Sequence, residues 1–179
     1  HINCHESGAV EATGHKILPL KAIDGKISAD DLDEYAAAFY SDENYEHMVS
    51  PKLVYISHPT EYGTLYSSDE LKNLRKICDK YDINMAIHPD DPAWPVFGLP
   101  RIITCKENVV RMLNEVPNPH NGLTFCTGSY GTNRKNDLCE MIKAATGRIH
   151  FAHIRNLKFN TAIDDPVQDF QESAHLSSD

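Results

Sequence analysis

The sequence has no CxxC pair, and its five cysteines, Cys4, Cys78, Cys105, Cys126 and Cys139, are odd in number and far apart. That layout favours neither a disulfide framework nor a zinc knuckle, and it fits a reducing cytoplasm. Runs of Lys or Arg are missing too. With a formal net charge of -9, the chain has no basic face for the phosphates of a nucleic acid. No apolar run approaches the ~20 residues that a membrane span needs, and the opening HINCHESG lacks the charged and then hydrophobic layout of a signal peptide. Neither nucleic acid nor membrane is therefore expected as a partner. The apolar fraction of 41% and the ten prolines among 179 residues are ordinary for a soluble globular chain, so nothing calls for disorder.

What is present centres on INMAIHPDDPAW, Ile83 to Trp94. An apolar run of strand length ends in a histidine, two adjacent carboxylates bounded by prolines, and a tryptophan. Chemistry-capable groups thus sit where a buried strand leaves its sheet. The excess of acidic over basic residues also lies mostly before Asp82, so a change in charge accompanies the change in pattern.

Along the chain, HINCHESGAVEATGHKILPL combines His1, His5 and His15 with two glutamates, but the spacing is HxxxH and not the HExxH of zinc hydrolases. Asp24-Gly25 signals a turn. Ser28 followed by Asp31 resembles a cap, and Leu32, Tyr35, Ala36 and Phe39 recur at helical spacing. KLVYISH, Lys52 to His58, reads as a buried strand. Ser67 or Ser68 caps a second helix whose stripe is Leu71, Leu74, Ile77 and Cys78. INMAIH closes a strand–helix–strand unit, which implies parallel strands with functional groups beyond their carboxyl ends. A helix over CKENVVRMLNEV, a strand GLTFC, a glycine-bearing turn TGSYGTN, a helix from Asn136 to Ala145 and a strand RIHFAHIRN follow. This is the pattern of a barrel or a doubly wound α/β fold.

His88, Cys126 and His153 lie at or near the ends of three successive expected strands. Adjacent strands bring such residues together despite their separation in sequence, and imidazole with thiolate suits a borderline divalent ion. Asp90 and Asp91 offer a carboxylate that orients an imidazole or meets substrate. His150, His153 and Arg155 offer ligand, acid/base and anion-contact roles. The plainer alternative makes the histidines satisfied polar residues, Cys126 a core residue and the aspartates a turn.

The runs AIHPDDPAWPVFGLPRI (Ala86 to Ile102), GLTFCTGSYG (Gly122 to Gly131), RIHFAHIRN (Arg148 to Asn156) and ESAHLSSD (Glu172 to Asp179) resemble mannonate dehydratase. The resemblance covers about half of the chain. It implies a TIM barrel that uses a divalent ion, typically manganese, to dehydrate mannonate to 2-keto-3-deoxygluconate in the cytoplasm. It also implies that His88, Cys126 and His153 are metal ligands and that Arg155 lies close to the substrate carboxylate, while a further aspartate ligand and a neighbouring acid/base histidine would fall beyond Asp179.

HINCHESGAVEATGHKI (His1 to Ile17) and PKLVYISHPTEYGTLYSSDELKNLRKICDKY (Pro51 to Tyr81) look instead like the low-specificity threonine aldolase and beta-eliminating lyase family of pyridoxal-phosphate (PLP) enzymes. The resemblance implies that His1 stacks on the cofactor ring. His58 stands where relatives usually have asparagine, AIHPDD replaces their Asp-Gly-Ala-Arg stretch, and no Schiff-base lysine is recognisable, which disfavours PLP.

The expectation is therefore an α/β chain in two parts. Residues 1–82 form a partial aldolase-like segment of the PLP fold-type I kind, and residues 83–179 carry partial TIM-barrel-like parallel β/α units. Three functions are open: metal-dependent dehydration of a sugar acid with Mn2+ or another divalent ion, a PLP-dependent aldolase or lyase, and a hybrid or fragment without turnover. A homo-oligomer is admitted, since it would cover exposed sheet edges.

Overall fold

The computed structural model describes residues 2–5, 8–58, 60, 62–157 and 159. His1, the residue expected against a PLP ring, lies outside the described residues, as do Glu172 to Asp179. The chain divides into two compact units, His1–Ile83 and Asn84–Asp179.

In the first unit, helices α1 (Ile2–His5) and α2 (Ala9–Ala12) are short, and α3 (Ala29–Ser41) and α4 (Ser68–Lys80) carry the core. Ser28 caps α3 by accepting the Asp31 N–H. At α4, Ser67 and Glu70 form a reciprocal capping box, which satisfies two N–H groups that a helix start otherwise leaves open. The apolar stripes meet: Leu32, Ala36, Phe39, Leu74 and Cys78 are all buried, and α3 packs on α4. A salt bridge from Lys80 to Asp33, 2.7 Å, ties the two helices at their polar margin. The Asp24-Gly25 turn forms with both residues at positive φ, and Ile23 and Lys26 exchange backbone hydrogen bonds of 2.9 Å across it.

The strand expected over Lys52 to His58 shrinks to β1, Leu53–Val54. Side-chain bonding draws the following segment into a loop: Tyr66 N–H donates to His58 Nδ1, and the hydroxyls of Thr60 and Thr64 bond to each other and to the Asp24 carbonyl. His58 is thereby engaged locally. His15 is likewise exposed and paired with Thr13 Oγ1.

The second unit is built from parallel strands β2 (Asn84–Ile87), β3 (Asn121–Cys126) and β4 (Ile149–His153), with β3 in the middle. Helices α5 (Lys106–Glu115), α6 (Thr127–Gly131) and α7 (Leu138–Ala144) connect them. This is an α/β arrangement of TIM-barrel type, a run of β/α units. Leu123 and Phe125 point to one face and meet Ile103, Val109, Leu113, Tyr130, Met141 and Ala145 in a single buried cluster, so the helices cover that face. TGSYG, expected as a turn, is helix α6, because Cys126 caps it directly and the strand runs into the helix without a loop.

Candidate metal centre

Parallel pairing places the three strand ends side by side. Cys126 and His153 are register partners on β3 and β4, after a shift in register between Leu123 and Thr124. His88 follows the last residue of β2, whose partner is β3. One ligand atom from each of His88, Cys126 and His153 lies within 4.8 Å of the other two. His88 Nε2 and His153 Nδ1 are 3.4 Å apart. Two nitrogens about 2.0–2.1 Å from a shared tetrahedral ion would stand roughly 3.4 Å apart, so the donor spacing fits a divalent cation.

The protonation states fit as well. His88 Nδ1 is 2.8 Å from the Pro89 carbonyl oxygen. A carbonyl only accepts, so Nδ1 carries the proton and Nε2 turns toward Cys126 and His153. The Cys126 side chain is completely buried. Burial pushes its thiol up, but the His88 imidazole and the hydroxyl and backbone N–H of Ser129 pull it down further, to about 7. For His88, burial disfavours the charged imidazole, yet Cys126, the Pro89 carbonyl and Asp91 together raise it above the ordinary histidine value. Sulfur and imidazole thus share a proton that a cation would replace.

Beside this group stands Arg155. Its Nη2 is 2.7 Å from Asp91 Oδ2, an ion pair without the alignment of a hydrogen bond. Nε and Nη2 are shut off from solvent with no hydrogen-bond acceptor among the described residues. Thr127 fixes the arginine backbone, since its Oγ1 accepts from Arg155 N at 2.9 Å and donates to Arg155 O at 2.8 Å. Gly128 lies directly under the guanidinium, where a Cβ would collide with it.

The two aspartates divide the work. Asp90 Oδ2 accepts from the backbone N–H groups of Ile102 and Ile103, both at 2.8 Å, and anchors the loop behind Trp94. Asp91 serves Arg155 and Ser129. His150 stands apart from the metal-type group. It sits three residues before His153 on β4, with Nε2 3.0 Å from the Pro119 carbonyl oxygen and the ring against Gly122.

Ser129 was not among the residues singled out from sequence. Its N–H and hydroxyl both lie against the Cys126 sulfur, at 3.3 and 3.1 Å. No spacing singles it out, since any residue three positions after the cap supplies that backbone N–H and only the fold turns the hydroxyl to the sulfur.

Comparison with known proteins identifies the family. The family model for D-mannonate dehydratase (UxuA) matches residues 68–179, a stretch that includes helix α4. A mannonate dehydratase of Brachyspira hyodysenteriae is 62% identical over 102 residues, which are 57% of this chain and 27% of that protein. The chain therefore spans about a quarter of that relative's length. Among solved structures, mannonate dehydratase from Streptococcus suis serotype 2 is 44% identical, covers 50% of this chain and 26% of its own, and superposes with a TM-score of 0.46. A threonine aldolase from Leishmania major is 40% identical over 52% of this chain and 26% of its own, with a TM-score of 0.44. The family model extends over more than half of the residues, and the chain belongs to the D-mannonate dehydratase (UxuA) family.

Proposed function

We propose that residues 84–157 contribute to the site of a divalent-metal-dependent sugar-acid dehydratase that uses Mn2+ and converts mannonate to 2-keto-3-deoxygluconate. The observation that carries this reading is the meeting of His88, Cys126 and His153 at three adjacent strand ends. His88, Cys126 and His153 would hold the divalent ion, which when bound would supply the positive charge to polarise a carboxylate or hydroxyl of the sugar acid and ease loss of the neighbouring proton.

The chain's own groups do the positioning. The Pro89 carbonyl holds His88 in the tautomer that leaves Nε2 free to donate its lone pair. Arg155 meets the substrate carboxylate through Nε and Nη2, two buried nitrogens without an aligned hydrogen bond of which Nη2 is ion-paired with Asp91, because a planar guanidinium matches a carboxylate with two parallel bonds. His150 is the acid/base candidate, and its engagement with Pro119 means that it would act from farther down β4. The five cysteines are all free, and among the described residues no helix is long and apolar enough to cross a membrane. The free cysteines support a place in a reducing cytoplasm.

The test is a manganese titration of this chain, read by the loss of the free Mn2+ resonance. Cys126→Ala should weaken binding by about 10-fold or more; unchanged affinity removes the proposed site. Formation of a 2-keto acid from mannonate tests the reaction itself.

A further inference from the structure

Ser129 faces two acceptors with one proton. Its Oγ lies 3.1 Å from Cys126 Sγ and 3.3 Å from Asp91 Oδ2, and a serine hydroxyl can donate to only one of them at a time. The same Oδ2 is the atom that Arg155 Nη2 approaches to 2.7 Å. Four residues thus form one line, Arg155, Asp91, Ser129, Cys126, although Arg155 is not bonded to the sulfur. Ser129 is completely buried, so water does not offer the hydroxyl a third partner.

We propose that Ser129 is a positioning residue for the Cys126 sulfur, and that the Arg155–Asp91 ion pair decides whether its proton goes to Cys126 or to Asp91. This rests on the reading of His88, Cys126 and His153 as a metal site. While the guanidinium neutralises Asp91, the sulfur is the better acceptor and the hydroxyl turns to it. When Arg155 leaves Asp91 to meet an anion, the bare carboxylate outcompetes the sulfur and the hydroxyl turns away. A thiolate that loses a hydrogen bond becomes a stronger electron donor. Arrival of an anionic substrate at Arg155 is thereby reported to the metal ligand through two side chains that touch neither the substrate nor the ion.

The cobalt-loaded chain tests this without substrate, through the position of its sulfur-to-Co2+ charge-transfer band. Ser129→Ala should move the band to longer wavelength. Arg155→Met should move it in the same direction, and Arg155→Met combined with Ser129→Ala should move it no further than Ser129→Ala alone. Adding Asp91→Asn to Arg155→Met should return the band to its original position, since a neutral amide competes poorly for the hydroxyl. The last variant also separates the proposal from a general disturbance of packing, which a second substitution would not repair. A wild-type band in Ser129→Ala, or an Arg155→Met shift that survives Asp91→Asn, overturns the coupling alone. No charge-transfer band in the unsubstituted chain overturns the metal reading and the coupling with it.

Discussion

Cys126 and His153 face each other across two parallel strands as register partners, and they do so only because the register of β3 and β4 slips between Leu123 and Thr124. Without the slip, alternation along the strands would send the side chains on one of them to the opposite face. The irregularity therefore creates the pairing of thiol and imidazole.

Replacing His153 with Ala should weaken Mn2+ binding by about 10-fold or more while far-ultraviolet circular dichroism stays unchanged, because the side chain ends outside the apolar cluster. His150→Gln should leave Mn2+ affinity as it is, since its ring is held at Pro119 and Gly122. A loss of affinity in His150→Gln equal to that of His153→Ala would contradict the geometry.

The metal-free chain should show thiolate absorbance rising with a midpoint near 7, where an ordinary cysteine titrates at 9.0. A thiol with a depressed folded value contributes stability that is present above the unfolded value and disappears as pH falls through the folded one. Cys126 should therefore favour the folded metal-free chain fully above about pH 9 and lose that contribution toward pH 7. Metal affinity should drop below the same midpoint, since the proton then competes with the cation. A midpoint that stays at the ordinary cysteine value in the intact chain would refute the His88 and Ser129 contacts.

Gly128→Ala puts a methyl group where the Arg155 guanidinium lies. Overpacking of this kind costs about 1–3 kcal/mol, and the arginine must leave Asp91 to relieve it. The cobalt band of Gly128→Ala should then resemble that of Arg155→Met, with a lower Tm. An unchanged band would mean that the helix moves and the arginine does not.

In the first unit, Glu70 takes part in both the capping box and a 2.7 Å salt bridge with Lys26. The Lys26 ammonium first, and the Ser67 N–H second, hold its carboxyl down at about 2, from 4.5. Its contribution to stability is present above about pH 4.5 and lost as pH falls toward about 2. Ser67→Ala should cost about 1 kcal/mol in denaturant unfolding at neutral pH. The acid sensitivity of unfolding should persist in Ser67→Ala, because Lys26 and the backbone N–H of residue 67 still hold the Glu70 carboxylate, and should fall in Glu70→Gln.

The residue order alone determined the local features. The caps at Ser28 and at Ser67 or Ser68, the stripes of α3 and α4, the Asp24-Gly25 turn and three strands with His88, Cys126 and His153 at or near their ends all follow from spacing between near neighbours in the chain. Only the folded molecule decided which faces those ends share, because register across parallel strands depends on a slip that no periodicity announces. It also separated Asp90 from Asp91, gave Arg155 its carboxylate, cut the strand after Val54 short and put Ser129 against the sulfur. Each of these is a hydrogen bond or packing contact whose two ends depend on where the chain returns, and local propensity carries no information about that return.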